Sequence, residues 1–350
     1  MTLIFFQNCV SPHQVPYIKE LVLNSQVNEV YLIVPRYDYN ERQEMGWDNK
    51  KLIDNTGIKL LYRPNENTIK KLLNENENSY CFFSGIRADA DVFSWFKASL
   101  KYKVKRYIIT EPPFTYNKPL WMHYIRFFLQ DYKYVKYIDG IFGIGDAAVK
   151  YYRNISKRWK VFPFQYVTEH NKRTKEVPTG NLKLLFVGNL CKRKNVRIVI
   201  EALKGIKDIE FSVIGNGEER LELEKLANQN KVSVTFLGSK NMKEVPSIMQ
   251  EHDVLVLPSL HDGWGAVVNE AMDLGLYVIV SDRCGARMMI EKRKTGDIFK
   301  SNDVRDLMDS ILYCLKLKNN IRGNIKENIS LFENFRSKSV SQYLIDCIKG

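Results

Sequence analysis

The residues able to do chemistry are densest between Asp253 and Gly285, in DVLVLPSLHDGWGAVVNEAMDLGLYVIVSDRCG. A short apolar run, Val254–Leu257, ends at Pro258, and a polar loop carrying Gly263 and Gly265 follows. A helical apolar pattern, with Val267, Val268, Ala271 and Met272 on one face, begins near Gly265. Glycine lets backbone approach a ligand closely, and the first amides of a helix have no partner inside it. Gly263 and Gly265, with the free amides of the helix start, therefore make a candidate anion site. Asp262 and Glu270 flank it, with seven residues between them. A carboxylate repels phosphate but accepts hydrogen bonds from hydroxyls. A sugar-nucleotide offers both, with ribose on one side of its diphosphate and a sugar on the other. A helix cap and a solvated glutamate would explain the same two acids without function.

Other candidates lie in turns that follow apolar runs. Arg193 and Lys194 fall within the charge run Lys192–Arg197, just past Leu182–Val187. Two cations there can hold a diphosphate and stabilise the charge that accumulates as it departs; a solvated basic turn is the plain alternative. His13 stands before a helical pattern in NCVSPHQVPYIKEL, and Ser84-Gly85 and Thr110-Glu111 close two further runs. Asp89-Ala90-Asp91 matches a metal-binding D-x-D pattern, but it opens a helix, where acids are favoured anyway, so capping is the expectation and no metal is required.

These positions need a scaffold, and the chain alternates short apolar runs with helical segments. The strand expectations are Leu3–Phe6, Val30–Val34, Tyr80–Phe83, Tyr107–Thr110 and Gly140–Gly143, then Leu182–Val187, Phe211–Ile214, Val232–Leu237, Val254–Leu257 and Val278–Ser281. Continuous apolar strands separated by helices indicate parallel βαβ units. The pattern breaks at TEHNKRTKEVPTGN, Thr168–Asn181, the best linker candidate. The expected architecture is α/β: two doubly wound Rossmann-like domains, 1–170 and 171–330, facing a central cleft, with a C-terminal helix, 331–350, packing back on the first. Ligands of such sheets bind beyond the carboxyl ends of the strands.

Composition sets the limits. With 350 residues, 45% hydrophobic and 27% charged, the chain is neither fibrous nor mostly disordered. Six scattered cysteines, with no C-x-x-C pair, argue against a disulfide scaffold or zinc ribbon and fit a reducing compartment. The start lacks a signal-peptide pattern and no apolar run reaches membrane-spanning length, so a cytoplasmic protein, peripheral at most on the inner membrane face, is expected. The net charge is +13, and Lys101–Lys160 holds 13 basic residues against four acids. Such a block suits an anionic partner. Within it, PLWMHYIRFFLQDYKYVKY, Pro119–Tyr137, is either a core helix with a basic face or a patch resting on anionic lipid. No recognition motif accompanies the charge, so nucleic acid is not the expected partner.

PSLHDGWGAVVNEAMDLG resembles the signature of glycosyltransferase family 4, retaining enzymes of the GT-B fold. Asp262 stands where the family usually has Glu, and Trp264 where Phe is usual. FVGNLCKRKN, VIGNGEER, VTFLG and VIVSDRCGA resemble the family's neighbouring strand-and-turn elements, so the likeness covers roughly residues 180–310. It implies that Glu270 binds ribose, Asp262 touches the donor sugar, and Lys194 with Arg193 holds the diphosphate. The amides of Gly263, Gly265, Ala266 and Val267 would face the phosphates, with Gly188, Gly215 and Gly238 in nearby turns. His13 would lie near donor phosphate and acceptor, although the family's glycines are missing there, and Asn189 replaces a common Arg.

The implied activity is sugar transfer from a nucleotide-diphosphate-sugar to a saccharide or lipid-linked saccharide in cell-surface polysaccharide or glycolipid synthesis, without a cofactor. The alternatives are a nucleotide-sugar epimerase or phosphorylase on the same fold, or a catalytically degenerate binding module.

Overall fold

Apolar runs whose every side chain is shielded must have layers on both faces, and the innermost strands here are of that kind: Leu3, Ile4, Phe5 and Phe6 are completely buried, as are Val254–Leu257. The computed structural model describes residues 1–39, 49–113 and 119–350 and divides into two units, one of Met1–Glu169 with Arg336–Gly350, the other of His170–Phe335.

The first unit runs β1 (Thr2–Phe6), α1 (Val15–Val22), β2 (Glu29–Val34), β3 (Lys59–Tyr62), α2 (Glu66–Glu75), β4 (Tyr80–Ser84), α3 (Ala90–Ser99), β5 (Lys105–Thr110), α4 (Leu120–Gln130), β6 (Gly140–Ile144), α5 (Asp146–Ile155) and β7 (Lys160–Phe164). All the described pairings are parallel, in the order β3-β2-β1-β4-β5-β6-β7. Stacked Phe5–Phe82 and Phe6–Phe83 pairs, with centroids 4.7 and 4.6 Å apart, join β1 to β4. The final helix, Ser337–Lys349, packs on α1 and buries Val340, Leu344, Ile345 and Ile348.

Asp89 caps α3, accepting from Asp91 N at 2.9 Å and Val92 N at 3.3 Å, and pairs with Arg36 at 2.9 Å. The D-x-D pattern is a helix cap.

The second unit runs β8 (Leu182–Val187), α6 (Arg197–Ala202), β9 (Ile209–Ile214), α7 (Arg220–Asn230), β10 (Val234–Gly238), α8 (Glu244–Met249), β11 (Val254–Leu257), α9 (Val267–Asp273), β12 (Tyr277–Ser281), β13 (Gly296–Phe299), α10 (Val304–Lys316), α11 (Lys318–Gly323) and α12 (Ile325–Leu331). Its strands are again parallel, ordered β10-β9-β8-β11-β12-β13. The order reverses between β8 and β11, so the turns after those strands flank a topological switch point.

Three strands lacked a sequence signal. β3, β7 and β13 are edge strands; KLLY and GDIF are four residues long, and KVFPF contains Pro163, tolerated because an edge leaves ladder positions unpaired. The segment expected to be a linker is strapped down. Asn171 N donates to Asp273 at 2.7 Å, Arg173 donates to the carbonyls of Leu274 and Gln250 at 3.0 and 2.8 Å, and the Thr174 and Lys175 amides share Gln250 Oε1. From His170 onward the irregular chain is thus part of the second unit.

At the amino ends of the central strands, Asp253 is completely buried between β8 and β11. It takes two hydrogen bonds from Arg322 at 2.7 and 2.8 Å and one from Lys183 N at 2.9 Å. Removing the guanidinium would strand a buried carboxylate. Arg322→Ala is expected to cost about 3–5 kcal/mol, read as a lower urea midpoint; Arg322→Lys recovers only part, because one ammonium cannot bridge both oxygens.

Candidate functional site

The turn from β11 to α9 is fixed before any side chain acts. Leu260 N donates to Arg193 O at 2.8 Å, tying it to the turn after β8. On the other side Asp262 N donates to Arg283 O at 3.1 Å, while Gly285 N and Ala286 N donate to the carbonyls of Asp262 and Trp264 at 3.1 and 2.8 Å. Cys284 completes the seam, its thiol donating to Trp264 O at 3.0 Å; burial pushes that thiol up to about 12, so it keeps its proton.

Gly265 has φ +94°, and a Cβ there would lie 2.8 Å from Leu257 Cδ2 and 2.9 Å from Cys284 Sγ. Both the left-handed backbone and the lack of space require glycine. Gly215, at φ +137°, is tighter still, since a Cβ would meet Gly188 O at 1.9 Å. There the turns after β8 and β9 touch backbone to backbone. Gly188 N donates to Ile214 O at 3.0 Å and Gly215 N to Gly238 O at 2.9 Å, so these three glycines extend the strand ladder into the turns.

Within this frame the amides of Gly265, Ala266 and Val267 donate to no described group; the turn's next amide bond runs from Val268 N back to Gly265 O. Three adjacent N–H groups at a helix start make a candidate anion site. The two carboxylates differ sharply. Asp262 Oδ2 lies 2.5 Å from Lys194 Nζ, and both side chains are largely shielded. Glu270 is half-buried, no described group hydrogen-bonds its side chain, and burial pushes its carboxyl up to about 7. A carboxylate already denied water and lacking a protein partner is ready for a hydroxyl from a ligand.

Arg193 donates to His261 O at 2.8 Å, so part of its guanidinium braces the loop. Trp264 is buried, with its indole N–H on Asn269 Oδ1 at 2.7 Å. Sequence reasoning missed Asn269: it is completely buried one residue before Glu270, and its partner identifies a role for Trp rather than Phe at 264, since Phe has no donor. The structure thus brings Arg193, Lys194, Asp262, Gly265, Ala266, Val267 and Glu270 to one edge of the second sheet. Gly263 belongs to the same turn, and a Cβ on Gly285 would lie 2.1 Å from its carbonyl. Among the described residues no cluster of His, Cys, Asp and Glu could hold a metal ion.

His13 lies in the first unit, in the turn after β1 at that sheet's own switch point, where its carbonyl accepts from Val167 N at 3.0 Å. Its ring is 6.0 Å from that of Tyr166, whose hydroxyl donates to Glu111 Oε1 at 2.9 Å. Tyr166, carrying no sequence signal, links the two candidates of this unit.

Residues 167–331 match the family model described as glycosyl transferases group 1. This segment is similar to the group 1 glycosyltransferases. An uncharacterized glycosyltransferase of Methanocaldococcus jannaschii is 34% identical over 147 residues, covering 41% of this chain and 41% of that protein. The UDP-Gal:alpha-D-GlcNAc-diphosphoundecaprenol alpha-1,3-galactosyltransferase of Escherichia coli is 30% identical over 135 residues, 36% of this chain and 34% of the enzyme. The chain therefore spans well under half the length of these curated relatives. Over the whole chain, the crystal structure of Anabaena Alr3699/HepE in complex with UDP aligns with a TM-score of 0.75 at 13% identity, covering 100% of both chains. The fold is GT-B, and the turn after β11 lies within the segment that the family model matches.

The raised Glu270 carboxyl has a consequence for stability. Its folded value of about 7 exceeds the ordinary value near 4.5, so its contribution is fully favourable below about 4.5 and is lost as pH rises through 7. Glu270→Gln cannot ionise, and in the ligand-free protein it should raise stability at pH 8 by roughly 1–3 kcal/mol relative to wild type, allowing for partial exposure. The difference should vanish near pH 4.5. Thermal unfolding of both proteins across that range measures it.

Proposed function

We propose that the protein transfers a sugar from a nucleoside-diphosphate sugar to a saccharide or lipid-linked saccharide, with retention at the anomeric carbon and without a metal ion. The observation that carries this reading is the pairing of three uncommitted amides, Gly265–Val267, with an unpartnered, protein-shielded Glu270 on the same helical turn. The amides suit a diphosphate and the carboxylate suits a ribose hydroxyl. Lys194 adds the positive charge that a departing nucleoside diphosphate needs as its bond to the sugar lengthens. Its ion pair with Asp262 keeps the ammonium in place until then. Asp262, released as phosphate takes over the ammonium, accepts from a donor-sugar hydroxyl. In this reading His13, joined through Tyr166 to Glu111, serves the acceptor side.

Two relatives support the chemistry by name. The Escherichia coli enzyme uses UDP-Gal and acts on a saccharide carried by diphosphoundecaprenol, and the Anabaena structure holds UDP. A lipid-borne acceptor agrees with attachment to an anionic membrane surface through the basic Lys101–Lys160 region, in which Lys118 lies outside the described residues. No described helix is long and apolar enough to cross a membrane, so the attachment is peripheral in this reading.

Calorimetry with UDP and other nucleoside diphosphates tests the assignment. Lys194→Ala and Glu270→Gln should each weaken binding at least about tenfold, because each removes a charged partner worth about 1.5–3 kcal/mol. Since the ionised carboxylate is the better acceptor, wild-type affinity should fall as pH drops through about 7. Glu270→Gln should lose that component and keep only the titration of the phosphate. Undiminished binding by both variants would refute the site.

A further inference from the structure

Helix α4, Leu120–Gln130, is built the wrong way round for a core helix. Phe127 alone is buried, resting edge-on against Trp159 at 5.7 Å, while Tyr124 packs on Tyr151 at 4.8 Å and the Tyr151 hydroxyl donates to His123 O. The apolar side chains that would ordinarily be shielded face outward: Trp121 is 61% exposed, Ile125 51%, Phe128 50% and Leu129 80%. At 100° per residue these four fall within an arc of about 100°, which the exposed Tyr132 just beyond the helix extends. A continuous apolar face on a protein surface marks an interaction site.

Charge identifies its occupant. Exposed Arg126, Lys133 and Lys136 border the face, and Arg158 reaches the carbonyl of Lys136 at 3.5 Å. Asp131, the one acid between Leu120 and Tyr137, is already paired with Arg87. Lys136 and Tyr137 also wall a cavity of about 460 Å³ together with Lys103 and Lys105, where Asp139 is paired with Lys105. Aromatic and aliphatic side chains at the centre, with unopposed cations at the margin, match the boundary between acyl chains and acidic headgroups. An acidic protein partner would supply the charge complement but no acyl layer for Trp121, Phe128 and Leu129.

We propose that the outward face of α4 inserts into the headgroup–acyl boundary of an anionic bilayer, with Trp121, Ile125, Phe128 and Leu129 buried in lipid and Arg126, Lys133 and Lys136 on acidic headgroups. The proposal rests on the membrane attachment named above and assigns it to one helix face; it is independent of sugar transfer and is tested without any nucleotide.

The full chain is sedimented with vesicles of phosphatidylcholine containing about 30% phosphatidylglycerol, and with phosphatidylcholine alone. Partitioning should be at least about tenfold stronger on the anionic vesicles. It should fall by a similar factor in W121S/F128S/L129S, whose melting temperature and UDP affinity should match wild type because the altered side chains are exposed. Brominated lipid should quench wild-type tryptophan emission and leave Trp121→Phe largely unaffected. Vesicle binding that survives the triple substitution would overturn the proposal, as would wild-type protein that ignores anionic vesicles. A vesicle-independent dimer that the triple substitution dissolves would overturn it too, assigning the face to a second copy of the chain.

Discussion

The loop between β11 and α9 can act as a site because backbone hydrogen bonds from both sides hold it, leaving its own first helical amides uncommitted. Leu260 N on Arg193 O fixes one edge, and the Asp262–Arg283, Gly285–Asp262 and Ala286–Trp264 bonds fix the other. Without them the loop could turn Gly265 N, Ala266 N and Val267 N toward its own carbonyls, and the candidate anion site would disappear into an ordinary turn. The fold's contribution is geometric. A parallel sheet sends the carboxyl ends of β8, β11 and β12 to one edge, so three turns distant in sequence can be sewn together by main-chain atoms alone.

That sewing explains which parts were legible in sequence. Central strands such as Leu3–Phe6 and Val254–Leu257 announce themselves, because burial on both faces demands continuous apolar side chains. Edge strands such as Lys59–Tyr62 and Gly296–Phe299 face no such demand. The cluster of Lys194, Asp262, Gly265 and Glu270 was readable because close backbone approach and buried charge restrict residue type. Asn269 and Tyr166 were not. Each acts by hydrogen-bonding one specific side chain, Trp264 or Glu111, and the spacing of either pair in the chain reveals nothing of the contact. Gln250, whose side chain anchors the strap at Thr174–Lys175, is hidden in the same way.

Helix α4 shows the limit of periodicity from another side. LWMHYIRFFLQ is apolar on most of its circumference, so a pattern of apolar positions identifies a helix without saying which face meets the core. The structure settles this through Tyr151 and Trp159, which engage the line His123–Tyr124–Phe127. What remains outward is the more hydrophobic part.

The two acids of the signature stand on either side of one turn with seven residues between them, yet their surroundings make them chemically unlike. Asp262 is held as one half of an ion pair by Lys194, so it is both neutralised and immobilised in the absence of a ligand. Glu270 has burial without a counter-ion, which raises its proton affinity and leaves its hydrogen-bonding capacity unfilled. A shorter side chain at 262 fits this division. Aspartate carries fewer rotatable bonds than glutamate, so holding it against Lys194 costs less conformational entropy, and its reach is set by the backbone bond from Asp262 N to Arg283 O. The site therefore combines one pre-paired charge that a phosphate can exchange with one unpaired acceptor that a hydroxyl can fill. A ligand presenting phosphate and hydroxyl together satisfies both at once, whereas an inorganic anion answers only the first.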